Sequence, residues 1–226
     1  MRKNKTLFER DFIIANERFP KLKYSWHAKS KMWVISGELD ICDTVGVYWG
    51  TFQIIMLVPR SYPYCVPIVI EKSQIIPRDI DWHISPEGIC CLDADHELIA
   101  MSQKGININD FITDKVYTYF ANQIYKLQGK QYAGAEYAHH TAGVIQYYVE
   151  RLNMPSAEAT LQALKNILCK KGLGRNDKCP CGSGLKLKKC HKASIETIKT
   201  FGFSKVQKDI QDIEKYLLPL RKHKID

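Results

Sequence analysis

Apolar residues at the beginning of the chain follow one helical pattern and then three strand patterns. Residues 5–20 carry apolar side chains at near-helical spacing, which predicts an amphipathic helix that ends at Pro20. Residues 31–41 alternate between apolar and polar side chains, which predicts a half-buried strand. Two further apolar runs rich in β-branched and aromatic residues, 46–59 and 66–71, predict two more strands. This order indicates a helix followed by an antiparallel meander.

The rest of the chain begins with an irregular segment and continues mainly as helices. Residues 74–103 show no regular pattern, and a long loop inside a compact domain is often functional. Helical periodicity returns at Ile108, where Asn109 or Asp110 is the expected N-terminal cap. Further helices are predicted in residues 135–153, 156–171 and 196–220.

Composition limits the class of protein. The 226 residues are 45% hydrophobic, which is enough for a core, and no stretch approaches the roughly 18 apolar residues of a membrane span. The N-terminus is charged and lacks the apolar run of a secretory signal, so we predict a cytoplasmic protein without a membrane partner. In the cytoplasm, the eight cysteines are expected to be reduced, metal-bound or catalytic.

The positive charge of the chain lies in its C-terminal part. Residues 157–226 hold 16 Lys and Arg against 7 Asp and Glu, whereas residues 1–156 hold 17 of each kind. The net charge of +9 therefore belongs to the C-terminal segment. Such a basic region predicts contact with nucleic acid or an acidic protein, or a solvated surface without a specific partner.

Three cysteines and a histidine cluster near the C-terminus. Cys179, Cys181, Cys190 and His191 stand within 13 residues, and this donor set is typical of a closed tetrahedral zinc site. The Gly-Ser-Gly sequence between the ligands supplies a tight turn. Metal binding would supply the folding energy of a segment poor in large apolar residues. The alternative is a flexible basic linker with reactive thiols.

The sequence around these ligands resembles the SEC-C motif. "GRNDKCPCGSGLKLKKCH", residues 174–191, is similar to that motif nearly throughout. The resemblance implies a structural zinc ion and an interaction role. It implies no catalysis at this site, because all four ligand positions are filled by protein and none stays open for a substrate.

Two adjacent cysteines lie in the irregular segment. Cys90 and Cys91 follow Gly88, which permits close backbone approach, and His83 stands eight residues before Cys91. A cysteine nucleophile needs a lowered pKa or a nearby base, partial exposure, and donors for the oxyanion that forms during attack. These residues are compatible with a catalytic cysteine assisted by His83, and also with two buried structural cysteines.

Two motifs in this region resemble those of ubiquitin-conjugating enzymes. "PRSYPYCVP" at residues 59–67 is similar to the family's Tyr-Pro turn, and "EGICCLD" at residues 87–93 is similar to its active-site signature. The resemblance covers roughly residues 6–150 and implies an α+β fold, an antiparallel meander with flanking helices. It implies that Cys91 is the nucleophile. Cys90 then takes a position where the family has an apolar residue that faces inward.

The chain departs from this family where a His-Pro-Asn sequence usually precedes the nucleophile. His83 is followed here by Ile84 and Ser85. The asparagine credited with stabilising the oxyanion or ordering the loop therefore has no direct counterpart, and Ser85, Asn107 or a loop amide is a candidate substitute. Such departures are common among divergent bacterial relatives found in antiphage and protein-conjugation operons.

The resemblance implies a transferase that carries a ubiquitin-like protein as a thioester on Cys91. Its partners would be that protein, its activating enzyme and a target protein with an acceptor amine. Asp93 or Asp95 would help the amine to lose its proton, and the alternative for both aspartates is a solvated loop. A second hypothesis is a noncatalytic adaptor of the same fold, which binds protein or nucleic acid through its zinc motif and basic tail. A third, a cysteine hydrolase, lacks a clear set of catalytic partners.

The sequence therefore predicts an α+β protein in four parts. Residues 1–153 form a domain like a ubiquitin-conjugating enzyme, and residues 154–172 form a helical connector. Residues 173–192 form a small zinc knuckle, and residues 193–226 form a basic C-terminal helix.

Overall fold

The computed structural model describes residues 5–129, 138–169 and 173–222. Its internal contacts divide the chain into two compact units, Met1–Glu136 and Tyr137–Asp226. The first unit combines helices with a sheet, and the second is helical apart from one isolated bridge among its described residues. The mixed α+β class predicted from the sequence is therefore confirmed.

The first helix, α1 (Leu7–Arg18), is the one that the sequence predicts. Thr6 caps it by a reciprocal pair of hydrogen bonds: the Glu9 amide donates to the Thr6 hydroxyl at 3.2 Å, and the Thr6 amide donates to the Glu9 carboxylate at 2.7 Å. Phe8 and Phe12 lie on its buried face. Only part of the apolar pattern is the core face, because Leu7 and Ile13 of the same helix are exposed.

The sheet has four antiparallel strands in chain order. They are β1 (Leu22–His27), β2 (Met32–Cys42), β3 (Tyr48–Pro59) and β4 (Ile68–Glu71). The meander and its three predicted strands are confirmed, and β1 is an addition. Leu22, Tyr24 and Trp26 alternate with polar residues in β1, so a strand signal was present, but the segment is only six residues long.

The face of β2 that points to the core is also the predicted one. Ile35, Leu39 and Ile41 are buried, and Gly37 occupies the position between them. Gly37 has a φ of +146°, and a Cβ there would lie 2.2 Å from the carbonyl oxygen of Lys21. Only glycine fits here, because the backbone of Lys21, just before β1, lies against Gly37.

The segment 74–103 is less irregular than the sequence predicts. It contains a 3-10 turn, Ile80–Trp82, and most of a helix, α2 (Asp95–Lys104). The helix has acidic residues in its first turn and ends at Gly105, which has a φ of +92°. Its apolar residues follow only a weak helical pattern, which is why the sequence did not predict this helix.

The helix predicted from Ile108 forms in three consecutive parts. They are α3 (Ile108–Phe111), a π-helical segment (Ile112–Tyr117) and α4 (Thr118–Leu127). The cap is Asn107 rather than Asn109 or Asp110, because its side-chain oxygen accepts from the amides of both of those residues. The three parts contribute large apolar side chains to the core beneath the sheet.

The second unit consists mainly of four helices in the part of the chain that the structure describes. They are α5 (His140–Leu152), α6 (Ala157–Leu168), α7 (Lys192–Thr200) and α8 (Phe203–Lys222). The buried Asp209 of α8 accepts a hydrogen bond from Tyr148 of α5 at 2.8 Å. None of the described helices is long and apolar enough to cross a membrane.

Two features of this unit differ from the sequence-based division. The unit begins before α5, whereas the sequence boundary follows α5 at residue 153, because α5 packs against α6 and α8 rather than being part of the first unit. The C-terminal region forms two helices instead of one. Gly202 separates α7 from α8. Its φ of +83° is a conformation that residues other than glycine rarely adopt.

Candidate functional site

The four predicted metal ligands come together in the second unit. One donor atom from each of Cys179, Cys181, Cys190 and His191 can be chosen so that all lie within 4.8 Å of one another. The Sγ atoms of Cys181 and Cys190 are 3.6 Å apart, and the His191 Nδ1 lies 3.3 Å from the Cys179 Sγ and 3.0 Å from the Cys190 Sγ. This Cys3His cluster can hold a metal ion.

A short ribbon and a 3-10 turn position the cysteines. Lys178 and Lys186 form an isolated antiparallel bridge, and the Cys179 amide donates to the Leu185 carbonyl at 2.7 Å. Gly182, with a φ of +85°, permits the turn between the two sides of the ribbon. The 3-10 turn Leu187–Lys189 then places the last two ligands opposite the first two.

The imidazole of His191 is oriented by a second contact. Its Nε2 lies 2.7 Å from the carbonyl oxygen of Asn153, at the end of α5. A carbonyl only accepts, so Nε2 carries the proton and Nδ1 presents its lone pair to the cluster. This is the ring orientation that a metal ligand requires, and the sequence spacing did not predict its partner.

The thiols of the cluster differ in acidity. Burial raises the pKa of Cys179 to about 11. Burial acts in the same direction on Cys181, but hydrogen bonds from Ser183, Cys179 and Cys190 together outweigh it and lower the pKa of Cys181 to about 6. At neutral pH the cluster therefore favours at least one thiolate, which is the form that binds a metal.

Residues 175–193 match the SEC-C motif. The match includes all four members of the Cys3His cluster, so the motif suggested by the sequence is confirmed at this place. A comparison with curated proteins found no significant match to the chain.

The first unit holds the adjacent cysteines, and the two differ sharply in burial. Cys90 is 8% exposed, and its amide donates to the carbonyl of Val69 in β4 at 2.8 Å. Cys91 is exposed. The side chain of Cys90 turns inward, as expected, because consecutive residues beside a strand face opposite sides. Burial raises the pKa of Cys90 to about 12, which disfavours its thiolate form.

Among the described residues, both causes that shift the pKa of the Cys91 thiol act against its thiolate form. Its pKa is raised, first by burial of part of the side chain and then by the negative charge of Asp95. His83 lies next to Cys91 through the main chain: the Cys91 amide donates to the His83 carbonyl at 2.8 Å. The contact that joins these two predicted site residues is therefore made by backbone atoms, with His83 at a φ of +50°.

Asp93 is held in an ion pair. Its carboxylate lies 2.5 Å from the Lys115 ammonium of the π-helical segment, and it also accepts from the Ala94 amide at 2.7 Å. Both side chains of the ion pair are mostly buried. Lys115 was not among the predicted site residues, because nothing in local sequence spacing links it to a loop 22 residues earlier.

The loop that carries Cys90 and Cys91, which we call the cysteine loop, packs against a second ion pair that the sequence did not predict. Arg78 lies 2.5 Å from the carboxylate of Glu71, whose side chain is fully buried at the end of β4. Gly88 packs directly above them with a φ of +89°, and a Cβ there would lie 2.6 Å from the Glu71 carbonyl oxygen. Close backbone approach at Gly88 was expected from the sequence, and its neighbours are now identified.

Proposed function

We propose that the first unit is a transferase similar to ubiquitin-conjugating enzymes, which carries a ubiquitin-like protein as a thioester on Cys91. The observation that carries this proposal is the asymmetry of the cysteine pair. Cys91 is exposed at the end of a loop beside β4, while Cys90 is buried. A four-stranded antiparallel meander preceded by a helix supports the same proposal, as do the Tyr-Pro turn and the active-site signature.

The proposed reaction has two acyl transfers. The Cys91 thiolate attacks the thioester carbon that joins the ubiquitin-like protein to its activating enzyme, and the activating enzyme leaves as a thiolate. An amine of the target protein then attacks the new thioester, a C–N bond forms, and Cys91 leaves as a thiolate. The proton that the amine loses passes to solvent or to a carboxylate. Asp95 suits this step, since its negative charge acts on the Cys91 thiol.

We further propose that the SEC-C motif holds structural zinc. Zinc bonds of about 2.3 Å to sulfur and about 2.0 Å to nitrogen place tetrahedral ligands about 3.5–3.8 Å apart. The sulfur–sulfur distance of 3.6 Å in the Cys3His cluster lies in this range, and the two sulfur–nitrogen distances of 3.3 and 3.0 Å are shorter than it. Four protein ligands leave no open position, so the ion would stabilise the fold and take no part in the transfer. A cytoplasmic antiphage or protein-conjugation system of a bacterium is the setting that we propose.

The experiment is to purify the tagged full chain from its natural cell under denaturing, acidic and non-reducing conditions. We expect an adduct heavier by one small protein, which a thiol reagent releases, and whose C-terminal carboxyl is linked to Cys91 by mass spectrometry. Cys91→Ser should carry a thiol-resistant, base-labile ester instead, and Cys91→Ala should carry nothing. Cys90→Ala is the matched control and should keep the adduct. Wild type without an adduct, or Cys91→Ala with one, contradicts the proposal.

One observation favours a second role, for the basic side of the SEC-C ribbon. Lys178 and Lys186 stand directly opposite each other, and both are exposed. Like charges in directly opposed positions destabilise a strand pair. Arg175 and Lys188 extend the same ribbon, since the Lys188 amide donates to the Arg175 carbonyl at 3.0 Å. A bound polyanion would relieve this repulsion, and we propose nucleic acid phosphates as the ligand.

The test measures binding of a fluorescent double-stranded DNA to the zinc-loaded full chain at several salt concentrations. Lys178→Gln with Lys186→Gln should weaken binding and reduce the slope of log K against log salt by about 2, because about two counterion-releasing contacts are lost. Lys199→Gln, an exposed lysine of α7, is the control. Preferential binding of poly-glutamate over DNA would instead indicate an acidic protein partner and overturn the choice of nucleic acid.

A further inference from the structure

The three consecutive carbonyl groups of residues 81–83, which precede the cysteine loop in the chain, accept hydrogen bonds from side chains of α4. The Lys126 ammonium donates to the carbonyl of Asp81, and the Gln123 side chain donates to the carbonyl of Trp82 at 3.0 Å. The Tyr119 hydroxyl lies 3.1 Å from the His83 carbonyl oxygen and 3.3 Å from that of Trp82. All three donors belong to α4.

The three donor side chains lie on the same side of α4. Tyr119, Gln123 and Lys126 are separated by four and three residues, so they share one face of α4. Gln123 is fully buried and Tyr119 is 5% exposed. Lys126 also stands over the ring of Trp82, with its Nζ 4.9 Å from the ring centre. We call these three donors and the carbonyls of residues 81–83 the α4 clamp.

The α4 clamp reaches Cys91 through one shared acceptor. The His83 carbonyl accepts from the Tyr119 hydroxyl and also from the Cys91 amide, the latter at 2.8 Å. A carbonyl oxygen has two lone pairs, so these two donors complete its hydrogen bonding. The position of the Cys91 backbone is therefore set by a group that α4 holds in place.

The polar side chains that the sequence offered for this task are engaged elsewhere. Ser85 donates its hydroxyl to Glu87 at 2.8 Å and accepts from the Ile89 amide at 3.1 Å. Asn107 caps α3. Tyr119 and Gln123, by contrast, bond directly to the segment that receives the Cys91 amide.

We infer that Tyr119 and Gln123 are positioning residues for Cys91, acting through the carbonyls of Trp82 and His83. This inference rests on the proposed function for its consequence in transfer. The anchoring itself is independent of that function. Both donors are neutral and buried, so each bond resists exchange with water, and loss of either removes one of the hydrogen bonds that hold these two carbonyls.

The experiment compares Tyr119→Phe and Gln123→Leu with a matched control in the full chain. The control is Tyr117→Phe, which removes a hydroxyl from a neighbouring residue whose partner is the backbone of Cys42. The first readout is hydrogen exchange by mass spectrometry in peptides that contain the Cys91 amide. The second is the yield of the thiol-labile adduct on Cys91.

We expect exchange at Cys91 to rise about tenfold in Tyr119→Phe and Gln123→Leu, the factor that corresponds to the loss of one net hydrogen bond. Peptides from β2 and β3 should be unchanged, and Tyr117→Phe should match wild type at Cys91. The adduct yield at short times should fall about tenfold in the same two variants.

Unchanged exchange at Cys91 in both variants overturns the inference, because α4 then does not hold the loop. Faster exchange with an unchanged adduct yield also overturns it, since the anchoring would not serve the transfer. A wild-type chain without any adduct contradicts the proposed function alone, and the exchange measurement still decides whether α4 anchors Cys91. Faster exchange in β2 and β3 as well would show general destabilisation and overturn a positioning role.

Discussion

The imidazole of His191 and the carbonyl of Asn153 are 2.7 Å apart, although 38 residues separate them in the chain. Asn153 ends α5 in the left-handed conformation, with φ and ψ of 54° and 30°. That conformation turns its carbonyl toward the Cys3His cluster. The end of one helix thereby sets the tautomer of a metal ligand that the sequence places in a different segment.

We expect the full chain to bind one zinc ion and to lose structure in the second unit when the ion is removed. Four ligands close the site, so chelation should lower the thermal midpoint of that unit and abolish its near-ultraviolet signal. Cys190→Ser should do the same, as measured by metal content and circular dichroism. Cys169→Ser, at an exposed thiol outside the cluster, should keep the metal. A Cys190→Ser protein with full zinc content would contradict the ligand assignment.

Replacement of Asn153 should separate backbone conformation from side-chain chemistry. Asn153→Val should lower the free energy of unfolding by about 1–2 kcal/mol, because a β-branched residue disfavours the left-handed conformation. It should also weaken zinc binding about tenfold or more by moving the carbonyl that orients His191. Asn153→Gly is the control, because glycine keeps both the left-handed conformation and the position of the carbonyl that orients His191. Zinc competition titrations measure the effect, and equal affinity in the two variants would argue against the orienting role.

The ion pair beneath Gly88 should be costly to break from one side. Arg78→Met leaves the buried carboxylate of Glu71 without its charged partner, and we expect a loss of about 3 kcal/mol in urea unfolding. The double variant Glu71→Leu with Arg78→Met should recover most of that loss, because neither charge is then buried alone. Equal destabilisation by the single and double variants would show that packing, and not charge, dominates at this site.

The alkylation rate of Cys91 should reach half of its maximum at a higher pH than the rate of an ordinary thiol does. Its pKa is raised by burial and by Asp95, so less thiolate is present at neutral pH than at a free cysteine with a pKa of about 8.5. Asp95→Asn removes a negative charge that disfavours the thiolate, so the pKa should fall and alkylation at pH 8 should accelerate. Alkylation rates by mass spectrometry across pH 6–10 test this.

Glu87→Gln is the matched control for that measurement. Glu87 lies on the same loop, but it pairs with Ser85 and is not a cause of the raised pKa of Cys91. Its alkylation profile should overlay that of wild type. If Asp95→Asn also overlays wild type, burial alone accounts for the raised pKa.

Much of the sheet and of the metal cluster could be predicted because the signals are local. The alternation of β2 identifies its core face, and ligands within 13 residues of each other need only a tight turn to meet. Signals that were short or weak were missed, such as the six residues of β1 and the helix α2. The predicted cap, Asn109 or Asp110, lies two or three residues after the observed cap at Asn107, because all three residue positions satisfy the same capping rule.

The sequence by itself determined which residues share a face and which lie near each other along the chain. The resemblance to ubiquitin-conjugating enzymes implied that Cys90 faces inward, and the spacing of the SEC-C ligands grouped them. Only the tertiary structure decided the long-range partners, namely Lys115 for Asp93, Asn153 for His191, and α4 for the carbonyls before Cys91. The physical reason is that spacing along a chain constrains local geometry, whereas contacts between distant segments depend on how the whole core packs.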